Sequence, residues 1–537
     1  MHKQDSTQSI VHSAKRFFGG TMLSRISGLL RDVAMAFAFG TQEAVAAFLV
    51  AFRFAHLLRR LFGEGALQTA FIPQFETLRK EDPQRACYFF RDLVGLLSVG
   101  LTVLIVIAMF TISACLYFFD FSEGNREILL LTFLLMPSLL FICLFGINAS
   151  LLQCEKSYFT PGVAPVAFNV VWIIGVLFLW QMPSALAMPR LAGWVIAACF
   201  CQWLITVPRV LVILRVHGIK ELWQAIHFRS PHIKGFYKPL LLGLIGVAAT
   251  QINSAVDAVF ARYADSEGPA LLWYALRIQQ LPLALFGVAI AGALLPPLTR
   301  AIKANDQAAY QVFLEFTMRR SIALMLPITI ALFVLGDSCI NLIYGRGDFT
   351  DHSTIGTTQC LWAYASGLLP MTFVLILAPA FYAQGNPRIP ATISVIAMAL
   401  NIGLNAWLIG GLGLGASSVA LATGVSAWVN FVLLAWALPH FKAIASRELW
   451  QSAFKIFCAS MAGAVVVISV DGIFMQGSTA WIMIQGGVPE FPREFMSQLV
   501  RLGVQGTCFL LTFGFVAWVL KATDILRFTE IAEARGA

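Results

Sequence analysis

Arginines stand inside apolar stretches of this chain, where a charge is costly. The run SRISGLLRD contains Arg25 and Arg31, the run FRFAHLLRRLFGEGA contains Arg59, and the run ALRIQQLPLALFG contains Arg277. A guanidinium group stays protonated in apolar surroundings and donates two parallel hydrogen bonds to phosphate oxygens. Several such groups that converge would bind a polyanion such as a pyrophosphate and would repel cations.

Further charged residues accompany the arginines of the first two runs, namely Asp32, Arg53, Arg60 and Glu64. Arg60 and Glu64 are four residues apart, so they can neutralise each other on one helix, and a structural role is favoured. Asp32 shares a helix face with Arg25, but about 10 Å separate the two along the axis. Any of the arginines could instead extend to the membrane surface or pair with a backbone carbonyl. For Arg53 both interpretations carry equal weight. The other four arginines are predicted to lack local partners and to bind the anion, namely Arg25, Arg31, Arg59 and Arg277.

The elements that must position these side chains are membrane-spanning helices. Of the 537 residues, 58% are hydrophobic and 12% are charged, about half the charged fraction of an ordinary soluble domain. This composition excludes a water-soluble enzyme of several domains. Apolar stretches long enough to span a bilayer occur at 17–40, 44–75, 90–118, 127–152, 158–180, 191–214, 236–261, 268–299, 317–343, 356–383, 389–409, 414–438, 453–472 and 497–520.

Basic residues are distributed unevenly over the connections between these fourteen stretches. The connections on the side of the N-terminus contain 23 Lys and Arg residues, and those on the opposite side contain five. This bias predicts that both termini lie in the cytoplasm. The net charge of +9 is spread over short loops, so no nucleic-acid partner is expected.

The sequence contains an internal repeat. Residues 51–73 and 275–297 align without a gap at an offset of 224 residues, and seven positions are identical, among them Arg53 and Arg277. A looser similarity pairs the segment from Gln153 to Asn169 with that from Gln384 to Asn401. Chance similarity of apolar helices is the alternative, but a matched arginine argues against it.

The repeat predicts an all-α polytopic membrane protein with about 14 transmembrane helices. Two pseudo-symmetric six-helix lobes, 1–220 and 221–445, would be related by an axis along the membrane normal and would hold a substrate between them. Residues 446–537 would add two further transmembrane helices and a cytoplasmic tail.

The quoted runs, together with LAPAFYAQGNPRIP, closely resemble the MurJ (MviN) family of lipid II flippases, within the multidrug, oligosaccharidyl-lipid and polysaccharide exporter superfamily. The resemblance covers essentially the whole chain. It implies a transporter of the bacterial inner membrane, not an enzyme, that serves peptidoglycan biosynthesis and cell shape. Such a protein exports lipid II, an undecaprenyl-pyrophosphate-linked disaccharide-pentapeptide, to the outer leaflet by alternating access.

The resemblance also implies roles for particular residues. Its central anion-binding arginines fall on Arg25, Arg31, Arg59 and Arg277, and its last two helices are expected to hold the lipid tail in a groove. Two acidic positions of the family are here Ala46 and Leu276, and its usual Pro-Asn is Ala55-His56. The absence of these two carboxylates argues against a mechanism that uses them as proton carriers. It does not affect the prediction of anion binding.

Some family members bind sodium, and the resemblance places that site on Asp257, Asn401, Asn405 and Thr423. The family's acidic residue at the position of Asn405 is missing, which weakens the site. Asn401 and Asn405 could instead bridge helices by hydrogen bonds, and both interpretations stay open. No other cofactor is expected, and the membrane potential could also drive transport.

Other functions compete with the flippase. One alternative is a flippase for another polyprenyl-pyrophosphate-linked glycan, and only the specific N-terminal motifs argue against it. A drug or cation antiporter would need carboxylates in its cavity, and a glycosyltransferase would need a catalytic residue on an outer loop. The longest outer segment, 473–496, has Glu490 and Glu494 but no His. Lipid II and membrane lipids are the expected partners, and binding to the cell-wall synthesis machinery is left open.

Overall fold

The computed structural model describes residues 7–62, 66–217, 219, 231–439, 441–474, 482 and 489–522. Over these ranges the chain is helical and contains no β-strand. The helices of the N-terminal half are α1 (Thr7–Phe39), α2 (Glu43–Phe62), α3 (Ala66–Glu81), α4 (Pro83–Phe118), α5 (Glu123–Leu135), α6 (Ser138–Cys154), α7 (Phe159–Leu179), α8 (Ser184–Val216) and α9 (Pro231–Ala264).

The helices continue through the C-terminal half in the same way. They are α10 (Gly268–Pro282), α11 (Val288–Lys303), α12 (Gln307–Tyr344), α13 (Asp351–Ala365), α14 (Leu368–Ala383), α15 (Arg388–Asn405), α16 (Ser417–Ala437), the single turn α17 (Phe441–Ile444), α18 (Arg447–Phe474) and α19 (Phe495–Val519). Two π-helical turns, Leu283–Gly287 and Ala406–Gly411, follow α10 and α15.

Apolarity and length identify the membrane spans. Among the described residues, nine helical segments are long and apolar enough to cross a membrane, or ten if α5 and α6, bent by 47°, form one span. Each of the fourteen stretches expected from the sequence is occupied by one helix or by two consecutive helices. The prediction of an all-α polytopic membrane protein is confirmed, and the count of fourteen is consistent with these helices.

Short polar side chains set the beginnings of several helices. The Asp82 carboxylate accepts a hydrogen bond from the Gln84 amide ahead of α4, whose first residue is proline. Asp306 caps α12 through the Ala309 amide, and Thr350 caps α13 through the Ser353 amide. These caps satisfy amides that have no partner within the helix, so the chain can turn sharply between spans.

By its packing the chain divides into two compact units, residues 1–262 and 263–537. In the first unit α1 runs along α7, and the backbones approach so closely that a Cβ on Gly20 would lie 3.1 Å from the backbone carbonyl carbon of Gly162. An apolar core joins α3, α4, α6 and α8 and includes Phe236 of α9. The second unit has its own core, formed mainly by α11, α12, α14 and α18.

These two units are defined by contacts in the structure. The predicted domains 1–220, 221–445 and 446–537 are instead defined by the internal repeat in the sequence. Helix α9, which the repeat assigns to the second lobe, packs with the first unit. Phe236 meets Phe89 of α4 edge to face, with ring centroids 6.1 Å apart. The domain boundaries stay a prediction.

Candidate functional site

Arg31 is a buried and fully engaged cation. Its Nε and Nη2 donate to Oδ1 of Asp32 at 3.1 and 2.7 Å, and its Nη1 donates to Oδ1 of Asn169 at 3.2 Å. The guanidinium carbon also lies 4.7 Å from the ring centroid of Trp172. The expectation that Arg31 lacks a local partner is therefore wrong, because the next residue in the chain neutralises it.

Asn169 fixes this arrangement to α1 from the opposite helix. Its Nδ2 donates to Oγ of Ser27 at 2.9 Å and to the carbonyl oxygen of Ser24 at 3.2 Å. A buried amide whose donors and acceptor are all used holds two helices in one register. Sequence reasoning did not single out Asn169, although the looser repeat already paired it with Asn401.

Arg25, in contrast, is exposed. The apolar side chains of Leu23, Ile26 and Leu30 are also exposed and mark the face of α1 that lipid would cover. At 100° per residue Arg25 points about 130° away from the centre of that face. Its guanidinium therefore does not face the lipid side of α1, and it can meet an anionic ligand.

The remaining arginine cluster of the first unit is described only in part. Helix α2 carries Arg59 and Arg60 in its last turn, but their side chains lie outside the described residues, as does Glu64 altogether. The prediction that Arg60 pairs with Glu64 therefore stays a prediction.

Arg53 and Arg262 connect α2 with α9. Arg53 is buried, and its Nη1 donates to the carbonyl oxygen of Ser254 at 3.5 Å. Arg262, near the end of α9, pairs with the carboxylate of Glu43 at the start of α2. Arg53 thus makes a backbone contact, as one of its two interpretations expected.

In the second unit, Arg277 is half-buried and stacks on its own helix. Its guanidinium carbon lies 4.4 Å from the ring centroid of Trp273, one turn earlier in α10. The π-helical turn Leu283–Gly287 follows within two turns. Stacking on an indole face restrains the orientation of a guanidinium.

The residues of the expected sodium site divide between the two units. Asp257 belongs to the first unit and accepts a hydrogen bond from Asn253 at 3.4 Å. In the second unit Asn405 donates to Oδ1 of Asn401 at 3.1 Å, and Asn401 donates to Oγ1 of Thr423 at 3.3 Å. This chain bridges α15 and α16, as the structural interpretation of the two asparagines expected.

The comparison with known proteins decides the family. The model of the family described as lipid II flippase MurJ matches residues 35–486. The chain belongs to this family. A probable lipid II flippase MurJ of Chlamydia muridarum is 31% identical to this chain, and the match covers 99% of this chain and 98% of the relative.

Solved structures agree with this family in fold. A lipid II flippase MurJ in an inward closed conformation superposes with a TM-score of 0.72 at 23% identity, covering 94% of this chain and 99% of that one. An inward-facing multidrug resistance MATE family transporter of the MOP superfamily superposes with a TM-score of 0.63 at 13% identity, covering 81% and 99%. The chain therefore has the fold that these two structures share.

Proposed function

We propose that this protein is a lipid II flippase, which moves the undecaprenyl-pyrophosphate-linked peptidoglycan precursor from the inner to the outer leaflet by alternating access of its two lobes. The family and a relative that matches nearly end to end support this function. The observation that carries it is Arg25, which is exposed on α1, the first predicted span, and is directed away from the exposed apolar face of that helix. A cation in that position is costly unless it serves an anion or water.

Within this function the arginines have different roles. Arg25 and Arg277, together with Arg59, bind the pyrophosphate, because their guanidinium groups can present paired N–H donors to phosphate oxygens. Arg31, which is bound to Asp32 and Asn169, contributes mainly by holding α1 against α7 and so positions Arg25.

The test is lipid II translocation in cells depleted of their native flippase. Arg25→Ala should abolish complementation at normal protein level, and Arg25→Lys should rescue poorly because it loses the bidentate geometry. Arg126→Ala, an exposed arginine at the start of α5, is the matched control and should complement fully. Full transport by Arg25→Ala would remove Arg25 from the site, and transport of a different pyrophosphate-linked glycan in place of lipid II would change the substrate.

The two additional helices provide the surface for the lipid tail. Exposed apolar side chains recur along α18 at intervals of three and four residues, at Trp450, Phe454, Phe457, Met461, Val465 and Ile468. Such a stripe forms one continuous apolar face. Membrane lipids cover it, and the undecaprenyl chain of the substrate lies along it. The bacterial inner membrane is the location that this substrate requires, and the cell-wall synthesis machinery is a further partner to be tested.

Sodium coupling is a separate part of the proposal. Asp257 would supply the negative charge for a monovalent cation, with oxygens of Asn401, Asn405 and Thr423 completing the site. An ion can bias alternating access only by binding the inward and outward states with different affinity.

Asp257→Asn should therefore slow transport while lipid II binding is retained. Wild-type transport by this variant, with a rate indifferent to sodium and to the membrane potential, would make Asp257 a structural hydrogen-bond acceptor. Asn253→Ala, which removes the amide donor to Asp257 and keeps the carboxylate, is the control for a local packing effect.

A further inference from the structure

A buried polar cluster lies where α12 and α18 end and α19 begins. Its charged members are Asp337 of α12, Asp471 of α18 and Arg501 of α19, each at most 7% exposed. Gln505, one turn beyond Arg501, is fully buried in the same cluster. An apolar layer that includes Val467 and Phe509 packs beside it and keeps water from one side.

The charges of this cluster do not balance. Arg501 approaches Asp337 with 3.7 Å between Nη2 and Oδ2, so the two form an ion pair. Asp471 lies within electrostatic range of both groups, but the hydrogen bond found for it comes from a neutral amide, Nε2 of Gln505, at 2.7 Å. If both carboxylates were ionised, two negative charges would share one guanidinium in an apolar surrounding, which is costly.

The amide of Gln505 indicates how the imbalance is resolved. Its Nε2 donates to Asp471, yet its buried Oε1 has no hydrogen-bond partner in the described structure. An ionised Asp471 could only repel that oxygen. A protonated carboxyl group can both accept from the amide nitrogen and donate to the amide oxygen, so that acid and amide satisfy each other.

We propose that Asp471, with Asp337, Arg501 and Gln505, forms a proton-binding site that joins the C-terminal helix pair to α12. Asp471 carries the proton at neutral pH, and Asp337 lies beside Arg501. The groups that face Asp471 are Arg501 and Gln505 from α19 and Asp337 from α12. Loss of the proton leaves an unpaired charge between three helices and loosens α18 and α19 from the second unit.

The folded protein holds this proton at neutral pH and the unfolded chain releases it, so stability decreases as the pH rises. In thermal unfolding of the full-length protein in lipid nanodiscs, the unfolding equilibrium constant should rise by up to about tenfold per pH unit. Asp471→Asn, a neutral analogue of the protonated acid, should be as stable as the wild type at neutral pH and should lose this pH dependence. An unchanged pH dependence in Asp471→Asn would overturn the proposal.

Asp351→Asn is the matched control, because Asp351 pairs with Arg493 at the same end of the unit but is partly exposed. It should keep the wild-type pH dependence.

Replacement of sodium by choline at constant ionic strength distinguishes a site that binds a proton from one that binds sodium. Stabilisation that requires sodium and disappears in Asp471→Asn would assign the site to sodium and refute the proton.

Infrared spectroscopy observes the proton directly. The wild type at neutral pH should show the C=O stretch of a protonated carboxylic acid, which should disappear in Asp471→Asn and persist in Asp351→Asn. If Asp471→Asn fails to accumulate, the wild-type spectrum decides by itself. A band that is absent at neutral pH, or that does not disappear on alkaline titration, contradicts the proposal.

Discussion

A buried guanidinium requires compensation within hydrogen-bond distance, and at Arg31 that compensation comes from the adjacent residue. Side chains one residue apart on a helix do not ordinarily face each other, but the long arginine side chain folds back so that two of its nitrogens reach one oxygen of Asp32. The pair is neutral as a whole. Removing either member leaves the other as a buried charge without this counterion.

Asp32→Asn should therefore destabilise the protein strongly, by about 3–5 kcal/mol. The double variant Arg31→Met with Asp32→Asn removes both charges and should regain much of that stability. Thermal unfolding of the two variants measures the difference. A double variant that is folded and still complements would show that the Arg31 charge serves only the fold, whereas equal instability of both variants would contradict the ion-pair argument.

Asn169 contributes through hydrogen bonds rather than charge. Asn169→Leu removes the donor to Oγ of Ser27 and the acceptor of one Arg31 nitrogen, and loss of a bond to a charged group costs about 1–3 kcal/mol. The unfolding midpoint should fall. Asn125→Leu, at an exposed position near the start of α5, should leave the midpoint close to that of the wild type, and an equal fall in both variants would contradict the role of Asn169.

At the scale of helices, the contact between α1 and α7 depends on the absence of side-chain atoms. A methyl group at Gly20 would meet the Gly162 backbone, which cannot rotate away as a side chain could. Gly19, its neighbour on the same helix, has nothing within 4 Å of the corresponding position. The two glycines therefore form a matched pair for substitution.

Gly20→Ala should destabilise the protein by about 1–3 kcal/mol, because the two helices must separate. Gly19→Ala relieves only the poor helix propensity of glycine and should stabilise by up to about 1 kcal/mol. Relative to the wild type, the unfolding midpoint should fall in Gly20→Ala and rise in Gly19→Ala. Equal effects would show that α1 and α7 adapt to an added methyl group.

The helices themselves were largely predictable from the sequence, because runs of about 20 apolar residues have few alternatives. The partners of polar residues were less predictable. Asn169 is 138 residues from Arg31, and no local spacing rule connects them. The cluster around Asp471 did leave a signal, since Asp337, Asp471 and Arg501 each interrupt an apolar stretch, but its significance depends on three helices meeting.

For the whole molecule, the distribution of basic residues gives a testable orientation. Arg126, at the start of α5, belongs to the side predicted to face outward, and Lys303, at the end of α11, belongs to the cytoplasmic side. Both side chains are exposed. In a variant lacking the ten native cysteines, a cysteine at Arg126 should react with a membrane-impermeant maleimide in intact cells, and one at Lys303 should not. Labelling at Lys303 would invert the topology.

The network around Arg31 also bears on how the protein is made. Helix α1 leaves the ribosome together with Asp32 but long before Asn169 and Trp172, which lie on α7. During synthesis the ion pair between Arg31 and Asp32 can form at once, whereas the amide of Asn169 and the indole of Trp172 are missing until six further helices have been translated. Helix α1 is therefore complete before α7, the helix on which it packs, has been made. Biogenesis should accordingly be most sensitive to defects in α7.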